Sequence, residues 1–176
     1  MSKIKWNLDP AHSEVTFKVK HMMITNVSGN FKEFTVDAAT DGEDFSKPEI
    51  NFTAKAASVN TNSEQRDGHL RSADFFDAEK FPEITFKASK YEKVSGNDYT
   101  LQGDLTIKDV TKTISLDVEY GGIQKDPWGN MKAGFTISGK INRKDFGLTW
   151  NAALETGGVM VSEEVKINCE IQLIKS

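Results

Sequence analysis

The sequence has little of what builds covalent cross-links or metal sites. It contains one cysteine, Cys169, among 176 residues, which excludes an intramolecular disulfide framework and a thiolate-rich metal site. Its three histidines, His12, His21 and His69, have neither the spacing of a helical metal site nor a short strand spacing. The sequence therefore predicts no metal site and no other cofactor, and no acid–base pair stands out as catalytic.

Long apolar runs and an excess of positive charge are also missing. No stretch approaches the ~18 apolar residues of a transmembrane helix. The first ten residues lack the apolar core of a signal peptide, which predicts a cytoplasmic protein, with a periplasmic origin and a removed leader as the alternative. Lys and Arg number 22 against 26 Asp and Glu, and the basic residues are scattered, so nucleic acid is a poor candidate partner. The glycine pairs at residues 121–122 and 157–158 open no helix, so no phosphate-binding loop is indicated.

Aromatic residues, in contrast, are plentiful, with 11 Phe, 3 Trp and 3 Tyr. Each such ring buries ~150 to 250 Å², which excludes a disordered chain. The length is near the ~150 residues typical of one domain, and no linker or internal repeat divides it. We therefore predict a single domain over residues 1–176.

Apolar and polar residues alternate over most of the chain, as in strands with one face exposed to water. The apolar members of the main runs are Val15, Phe17 and Val19; Ile50, Phe52 and Ala54; Ile84 and Phe86; Leu101, Gly103, Leu105 and Ile107; Ile114, Leu116, Val118 and Tyr120; Ala133, Phe135, Ile137, Gly139 and Ile141; and Val165, Ile167, Cys169, Ile171 and Leu173. The apolar phase shifts by one residue between Phe31 and Phe34, which predicts a bulge in a bent strand. Short turns join the runs, so the pattern predicts an antiparallel meander of about eight strands, closed into a barrel.

One segment, Thr61 to Pro82, breaks the alternation and predicts a short helix. Ser63 is a candidate N-cap, Arg66, Leu70 and Ala73 share one helical side, and Pro82 prevents further helix. The segment also places Arg66, His69 and Arg71 beside the Phe75-Phe76 pair. Two interpretations stay open: a solvated helix face, or a polar gate that meets the head group of a ligand.

An eight-stranded barrel is either filled by side chains or wide enough to hold one small ligand. Large and small residues mix on the predicted inner face, a pattern that is compatible with both. Cys169 shares the phase of Ile167 and Ile171, so we interpret it as a small buried apolar side chain and not as a reactive thiol.

Several sequence blocks, taken in order, resemble the YceI-like family of lipocalin-like, polyisoprenoid-binding proteins, and the resemblance covers nearly the whole chain. The blocks are WNLDPAHS from Trp6, FKVKH from Phe17, GNF from Gly29, RDGHLRSADFFD from Arg66, FPEITF from Phe81, GDLTIKDVTK from Gly103, INRKDFGL from Ile141 and LETGGV from Leu154. The order of the blocks makes the resemblance specific. Asp109 departs from it, since many relatives have glycine in that turn.

The resemblance implies an eight-stranded antiparallel lipocalin-like barrel with one short helical segment, in an all-β fold. It also implies a homodimeric, non-enzymatic carrier or store for an isoprenoid or other long-chain lipid, of the isoprenoid quinone or polyprenyl phosphate class. By strand phase, the residues expected to line the channel are Phe17, Val19, Phe31, Phe52, Phe86, Leu105, Ile107, Phe135, Ile137, Phe146 and Trp150. Arg66, His69 and Arg71 are the candidates for contact with a head group at the mouth.

Two other hypotheses remain. One is a stress-related scaffold or interaction module with a filled barrel and no lipid ligand. The other is an enzyme that acts on a lipid in the channel through His21 or His69, which no residue spacing favours.

Overall fold

The fold is built from antiparallel β-strands, as the period-two pattern predicts. The structure is a computed structural model that describes residues 3–42, 44–151 and 160–176. Within these residues, eleven strands form one sheet in which all neighbours are antiparallel. They are β1 (Lys3–Leu8), β2 (Glu14–His21), β3 (Thr25–Phe31), β4 (Phe34–Asp41), β5 (Asp44–Lys55), β6 (Val59–Asn60), β7 (Glu83–Ser95), β8 (Asp98–Ile107), β9 (Val110–Lys125), β10 (Met131–Asn142) and β11 (Glu164–Lys175).

The sheet closes on itself. The strand order runs from β1 through β4, β5, β7, β8, β9 and β10 to β11, and β11 pairs again with β1. The ring therefore contains eight strands, and the closed antiparallel barrel predicted from the sequence is confirmed. Closure leaves these strands without an unpaired edge.

The three remaining strands extend members of that ring. Strands β1 and β2 follow each other in the chain and both pair with β11. Leu8 of β1 lies opposite Leu173, and Lys18 of β2 lies opposite Lys166. A 3₁₀ turn at Pro10–His12 separates β1 from β2. In the same way β3 continues into β4 and β5 continues into β6, the latter through a 3₁₀ turn at Ala56–Ser58. The shift of apolar phase coincides with residues 32–33, where β3 ends and β4 begins, so the structure has a break between two strands in place of the predicted bulge within one. Eight long strands with local breaks thus account for eleven short ones.

One short α-helix lies at the end of the barrel where β2 turns into β3. Helix α1 (Glu64–Arg71) begins after Ser63, whose hydroxyl oxygen accepts the Arg66 N–H at 3.3 Å, so the predicted N-cap is confirmed. The helix ends at Arg71, earlier than the sequence pattern suggests, because the Ser72 N–H caps it by donating to the His69 carbonyl. Ala73 therefore lies outside the helix. Among the described residues no helix has the length and apolarity needed to cross a membrane.

Apolar side chains fill the wall of the barrel in two clusters. One surrounds Trp6, which is fully buried and donates its indole N–H to the Thr40 hydroxyl at 2.9 Å, and the other surrounds Phe86 and Leu105. Two glycines allow neighbouring side chains to pack directly against the backbone. A Cβ added at Gly103 would lie 2.6 Å from the end of the Phe86 ring, and one added at Gly139 would collide with Leu116. The space beside Gly103 and Gly139 is therefore occupied by neighbouring side chains and is not part of an open channel.

Candidate functional site

A cavity of about 360 Å³ lies inside the barrel between the two clusters. This volume is within the ~300 to 1,000 Å³ that is typical of small-molecule sites. The interior of the barrel is therefore not completely filled, although the space beside Gly103 and Gly139 is. Apolar side chains from β2, β5, β7, β8, β9, β10 and β11 dominate the lining. An apolar or amphiphilic occupant matches such a lining, because burial of apolar surface drives its binding.

Ten of the eleven residues predicted to line a channel do line this cavity. They are Phe17, Val19, Phe31, Phe52, Phe86, Leu105, Ile107, Phe135, Ile137 and Trp150. Strand alternation explains nine of these placements, since inward residues of a strand alternate with residues on its outer face. Trp150 is the exception, because it reaches the cavity from a segment outside the strands. Their contact with a ligand stays a prediction.

Phe146 does not line the cavity, and its assignment to the channel is wrong. Strand β10 ends at Asn142, and the chain continues as a 3₁₀ turn at Arg143–Phe146. Strand alternation therefore no longer applies at Phe146. Its ring is 1% exposed and packs in the cluster around Phe86 and Leu105.

The structure adds lining residues that were not proposed as site residues. Val36, Ile84, Leu116 and Val118 alternate with polar neighbours in the sequence, so the same period-two signal could have identified them. Phe45, in contrast, reaches the cavity from the start of β5, and nothing in its local sequence indicates this.

Most polar lining residues gather at the helix end of the cavity, which we call the mouth. They are Lys20, His21, Thr61, Arg66, His69 and Arg143. Hydrogen bonds hold several of these groups in place: Arg66 donates from Nε to the Thr61 hydroxyl at 2.7 Å, and the Thr61 hydroxyl donates to buried Asp67 at 2.6 Å. The mouth therefore presents positive charge beside an apolar interior.

Arg71 is not part of the mouth, so this expectation is wrong. At 3.6 residues per turn, Arg71 lies about 140° around the helix from Arg66, whereas His69 lies within about 60° of it. Only Arg66 and His69 therefore share the side that reaches the cavity. The Arg71 guanidinium lies 3.7 Å from the Glu64 carboxylate, which agrees with a solvated helix face at that position.

His69 is held by rings and by one carboxylate. Its imidazole lies edge-on to Trp150, with ring centroids 4.7 Å apart, and to Phe75 at 5.1 Å. Its Nε2 is 2.8 Å from the Asp74 carboxylate. The imidazole thus packs among aromatic rings at the mouth with its polar edge occupied by Asp74.

Arg143 is a buried cation that the sequence analysis did not identify as a site residue. Its side chain is 3% exposed and lines the cavity. It donates to four backbone carbonyls: those of Leu148 at 2.6 Å, Trp150 and Ser162 at 2.8 Å, and Val161 at 3.3 Å. Burial lowers the pKa of the guanidinium, although Arg remains protonated in proteins, and the nearby Glu163 opposes that shift. Nothing in its position directly after β10 indicates, from the sequence, that Arg143 is buried and bonded to four carbonyls.

Aromatic rings gather at the opposite end of the barrel, and we call this group the aromatic floor. Its members are Trp6, Phe45, Tyr91, Tyr99, Tyr120 and Phe135, linked by ring contacts of 4.6 to 6.3 Å. Tyr91 lies flat against Tyr99. Its hydroxyl oxygen is the one buried side-chain oxygen or nitrogen without a hydrogen-bond partner in the part of the chain that the structure describes. Burial raises the pKa of this phenol above its usual value.

Cys169 lines the cavity as a small apolar group, as predicted. Burial raises the pKa of its thiol to about 12, so the thiol is protonated at neutral pH. The described residues contain no group of three or more His, Cys, Asp or Glu side chains arranged to hold a metal ion. His12 bonds locally to Asp9, with 2.8 Å between Nδ1 and Oδ2, in the turn where the sequence places it.

Comparison with known proteins finds a family model that matches nearly the whole chain. The YceI-like domain model matches residues 6–173. A UPF0312 protein of Staphylococcus aureus (strain N315) is 40% identical over 168 residues, which cover 95% of each chain. The crystal structure of the YCEI protein of Campylobacter jejuni matches with a TM-score of 0.77, at 39% identity and over 96% of each chain.

A more distant solved structure has the same fold. It is described as a polyisoprenoid binding domain from Saccharophagus degradans, and it matches with a TM-score of 0.71, at 17% identity, over 97% of this chain and 98% of that one. The homodimer and the cytoplasmic location stay predictions.

Proposed function

Because the chain belongs to the YceI-like domain family, we propose that its barrel binds an isoprenoid or other long-chain amphiphilic lipid and carries or stores it without catalysis. The observation that carries this proposal is the cavity of about 360 Å³, which is apolar along its length and positively charged at one end. The description of the Saccharophagus degradans domain as polyisoprenoid-binding supports it.

The energetics of the cavity suit an isoprenoid tail. Each buried CH₂-sized group contributes about 0.8 kcal/mol, so a five-carbon prenyl unit contributes about 4 kcal/mol before ordering costs are subtracted. Two to three buried units are therefore enough for tight binding without a polar anchor.

The mouth is the place where lipids would be distinguished. Arg66 is exposed and lines the cavity, so we propose that it contacts an anionic or strongly polar head group. Arg143 is also cationic, but four carbonyls already occupy its guanidinium. Arg66→Gln is therefore expected to weaken binding of a polyprenyl phosphate more than binding of a neutral quinone.

The decisive experiment is identification of the lipid that co-purifies with the protein. Native mass spectrometry of protein from its source cells should show a bound mass, and organic extraction should release an isoprenoid or long-chain lipid. Absence of any lipid in both measurements, with no displacement of an apolar fluorescent probe by added isoprenoids, would refute the proposal.

A matched pair of variants tests whether the cavity is the binding site. Ile167 lines the cavity, whereas its neighbour Asn168 faces solvent on the same strand. Ile167→Trp should occupy the cavity and remove the bound lipid, and Asn168→Trp should retain it. Far-ultraviolet circular dichroism must show intact strands in both. Equal lipid content in the two variants would place the lipid elsewhere.

His69→Ala distinguishes binding from catalysis. We expect this variant to keep the lipid chemically unchanged, as the wild type does. Conversion of an added isoprenoid lipid by the wild type, lost in His69→Ala, would instead support an enzyme.

A further inference from the structure

The hairpin between β2 and β3 ends in three exposed apolar side chains. Met22 is 41% exposed, Met23 51% and Ile24 78%, and we call residues 22–24 the apolar tip. Adjacent exposed apolar side chains of this size are uncommon away from interaction sites.

The turn itself does not require these residues. The Ile24 N–H donates to the His21 carbonyl at 3.2 Å, and Met22 and Met23 both have positive φ, of 54° and 63°. These are the dihedral signs of a type I′ turn, for which Asn-Gly is the favoured sequence. Methionine at both positions is unfavourable for the backbone, so the local fold offers no reason for the two apolar side chains.

The apolar tip adjoins the mouth of the cavity. His21, at the base of the hairpin, lines the cavity, and so does Met160. The Met22 N–H donates to the Met160 carbonyl at 2.7 Å. A surface that contacts the tip therefore also lies next to the mouth.

Three exposed lysines lie side by side on the outer face of the barrel, on β2, which leads into the tip, and on the next two strands of the sheet. Lys18 on β2 lies opposite Lys166 on β11, which lies opposite Lys140 on β10, and all three are exposed. We call these three residues the lysine row. Like charges directly opposite each other weaken a sheet, so the row is not explained by strand pairing.

Few carboxylates offset the lysine row. Lys140 lies 3.5 Å from the Glu164 carboxylate, and Glu163 pairs with Lys144 at 2.7 Å. Among the described residues, Lys18 and Lys166 have no carboxylate within ion-pair distance. The protein as a whole carries a formal charge of −4, so this face opposes the overall charge.

We propose that the apolar tip and the lysine row dock the protein on the surface of an anionic lipid bilayer, with the mouth beside the membrane. Apolar side chains of such surfaces enter the bilayer by ~5 to 10 Å, and nearby lysines bind anionic head groups. A single weak signal gives only marginal membrane binding, and stable attachment commonly needs two, which the tip and the row supply. A symmetric dimer through this face would bring two lysine rows together, which favours an anionic membrane as the occupant.

Vesicle flotation tests the proposal with the full chain and without regard to the ligand in the cavity. The vesicles contain either phosphatidylcholine alone or equal amounts of phosphatidylcholine and phosphatidylglycerol. We expect binding to the anionic vesicles, loss of that binding at high salt, and little binding to phosphatidylcholine alone.

The tip variant combines Met22→Asn, Met23→Gly and Ile24→Ser. Because Asn-Gly suits the turn, this variant should fold at least as well as the wild type, yet its partition onto anionic vesicles should fall by about tenfold or more. The control is Trp128→Ser, which removes an 82% exposed ring from the turn between β9 and β10 at the opposite end of the barrel and should leave partition unchanged.

The charge variant combines Lys18→Gln and Lys166→Gln. Each lysine near the membrane is expected to contribute about fivefold, so the pair should lower partition by about 25-fold. The control, Lys87→Gln with Lys93→Gln, removes two exposed lysines of β7 and should have a much smaller effect.

Three results would overturn the proposal. They are the absence of binding to anionic vesicles, equal partition of the tip variant and the wild type, and equal loss in the two lysine pairs. If the second result is accompanied by a change of the tip variant from dimer to monomer, the tip is assigned to self-association.

Discussion

Removal of the Tyr91 hydroxyl should stabilise the protein. In the unfolded chain this hydroxyl bonds to water, whereas in the fold it is buried without a partner. An unsatisfied buried polar group costs about 1 to 3 kcal/mol. Tyr91→Phe removes that cost and keeps the ring that stacks on Tyr99 with centroids 4.6 Å apart. For a chain of this length, the gain corresponds to a rise in melting temperature of about 2 to 12 °C.

The stabilisation by Tyr91→Phe should increase at high pH. Burial raises the pKa of the folded Tyr91 phenol, so the folded state disfavours ionisation. Above about pH 10 the unfolded tyrosine ionises and the folded one does not, which lowers the stability of the wild type as pH rises. The phenylalanine variant lacks this loss, so the difference between the two proteins should widen above that pH.

Thermal and urea unfolding, followed by circular dichroism, measure both effects. Tyr99→Phe is the matched control, because the Tyr99 hydroxyl is not among the buried unpaired atoms. We expect no stabilisation from this control. An unchanged or lower melting temperature in Tyr91→Phe would refute the reasoning, and a loss of lipid affinity in that variant would show that the hydroxyl binds the ligand.

Three further predictions concern other buried polar groups. Arg143→Met should destabilise the fold by about 3 kcal/mol or more in urea unfolding, because it leaves four carbonyls unsatisfied. The control Lys144→Gln, on the surface, should change stability by less than about 0.5 kcal/mol. Equal effects of the two variants would contradict a stabilising role for the four hydrogen bonds of Arg143. The hydrogen bond from Lys132 lowers the pKa of buried Asp9. The stability of the wild type should therefore fall as the pH drops below about 4 and through the folded pKa. Asp9→Asn should lose less stability over that range, as measured by melting temperature at a series of acid pH values. An equal acid loss in Asp9→Asn would assign it to other carboxylates. Because burial raises the pKa of Cys169 to about 12, alkylation by iodoacetamide at pH 8 should be about a thousandfold slower in folded than in urea-unfolded protein, and comparable rates would show that the thiol is accessible.

The architecture was predictable because its signal is local. A strand with one wet face alternates every second residue, so Phe17, Phe86 and Ile137 could be assigned to the barrel interior from neighbouring residues alone. The shift of phase after Phe31 and the cap at Ser63 are local signals of the same kind. The structure has the cap, and it ends β3 at the phase shift, where a bulge within one strand was predicted.

The two site predictions that failed did so where the local period changed. Strand alternation predicts that Phe146 faces inward, but the chain leaves β10 at Asn142 and turns. Proximity in the sequence groups Arg71 with Arg66 and His69, but the helix directs Arg71 away from Arg66. Each error reflects the wrong period for the element that the residue occupies.

Short-range periodicity was enough to predict an antiparallel barrel, its inward face and one helical interruption. Whether that barrel is hollow depends on long-range packing, which the alternation does not report. The gaps at Gly103 and Gly139 are filled by Phe86 and Leu116, yet a cavity remains between the two clusters, because packing depends on side chains from strands far apart in the chain. For the same reason, the four carbonyls around Arg143 and the unpaired hydroxyl of Tyr91 have no signature in the sequence.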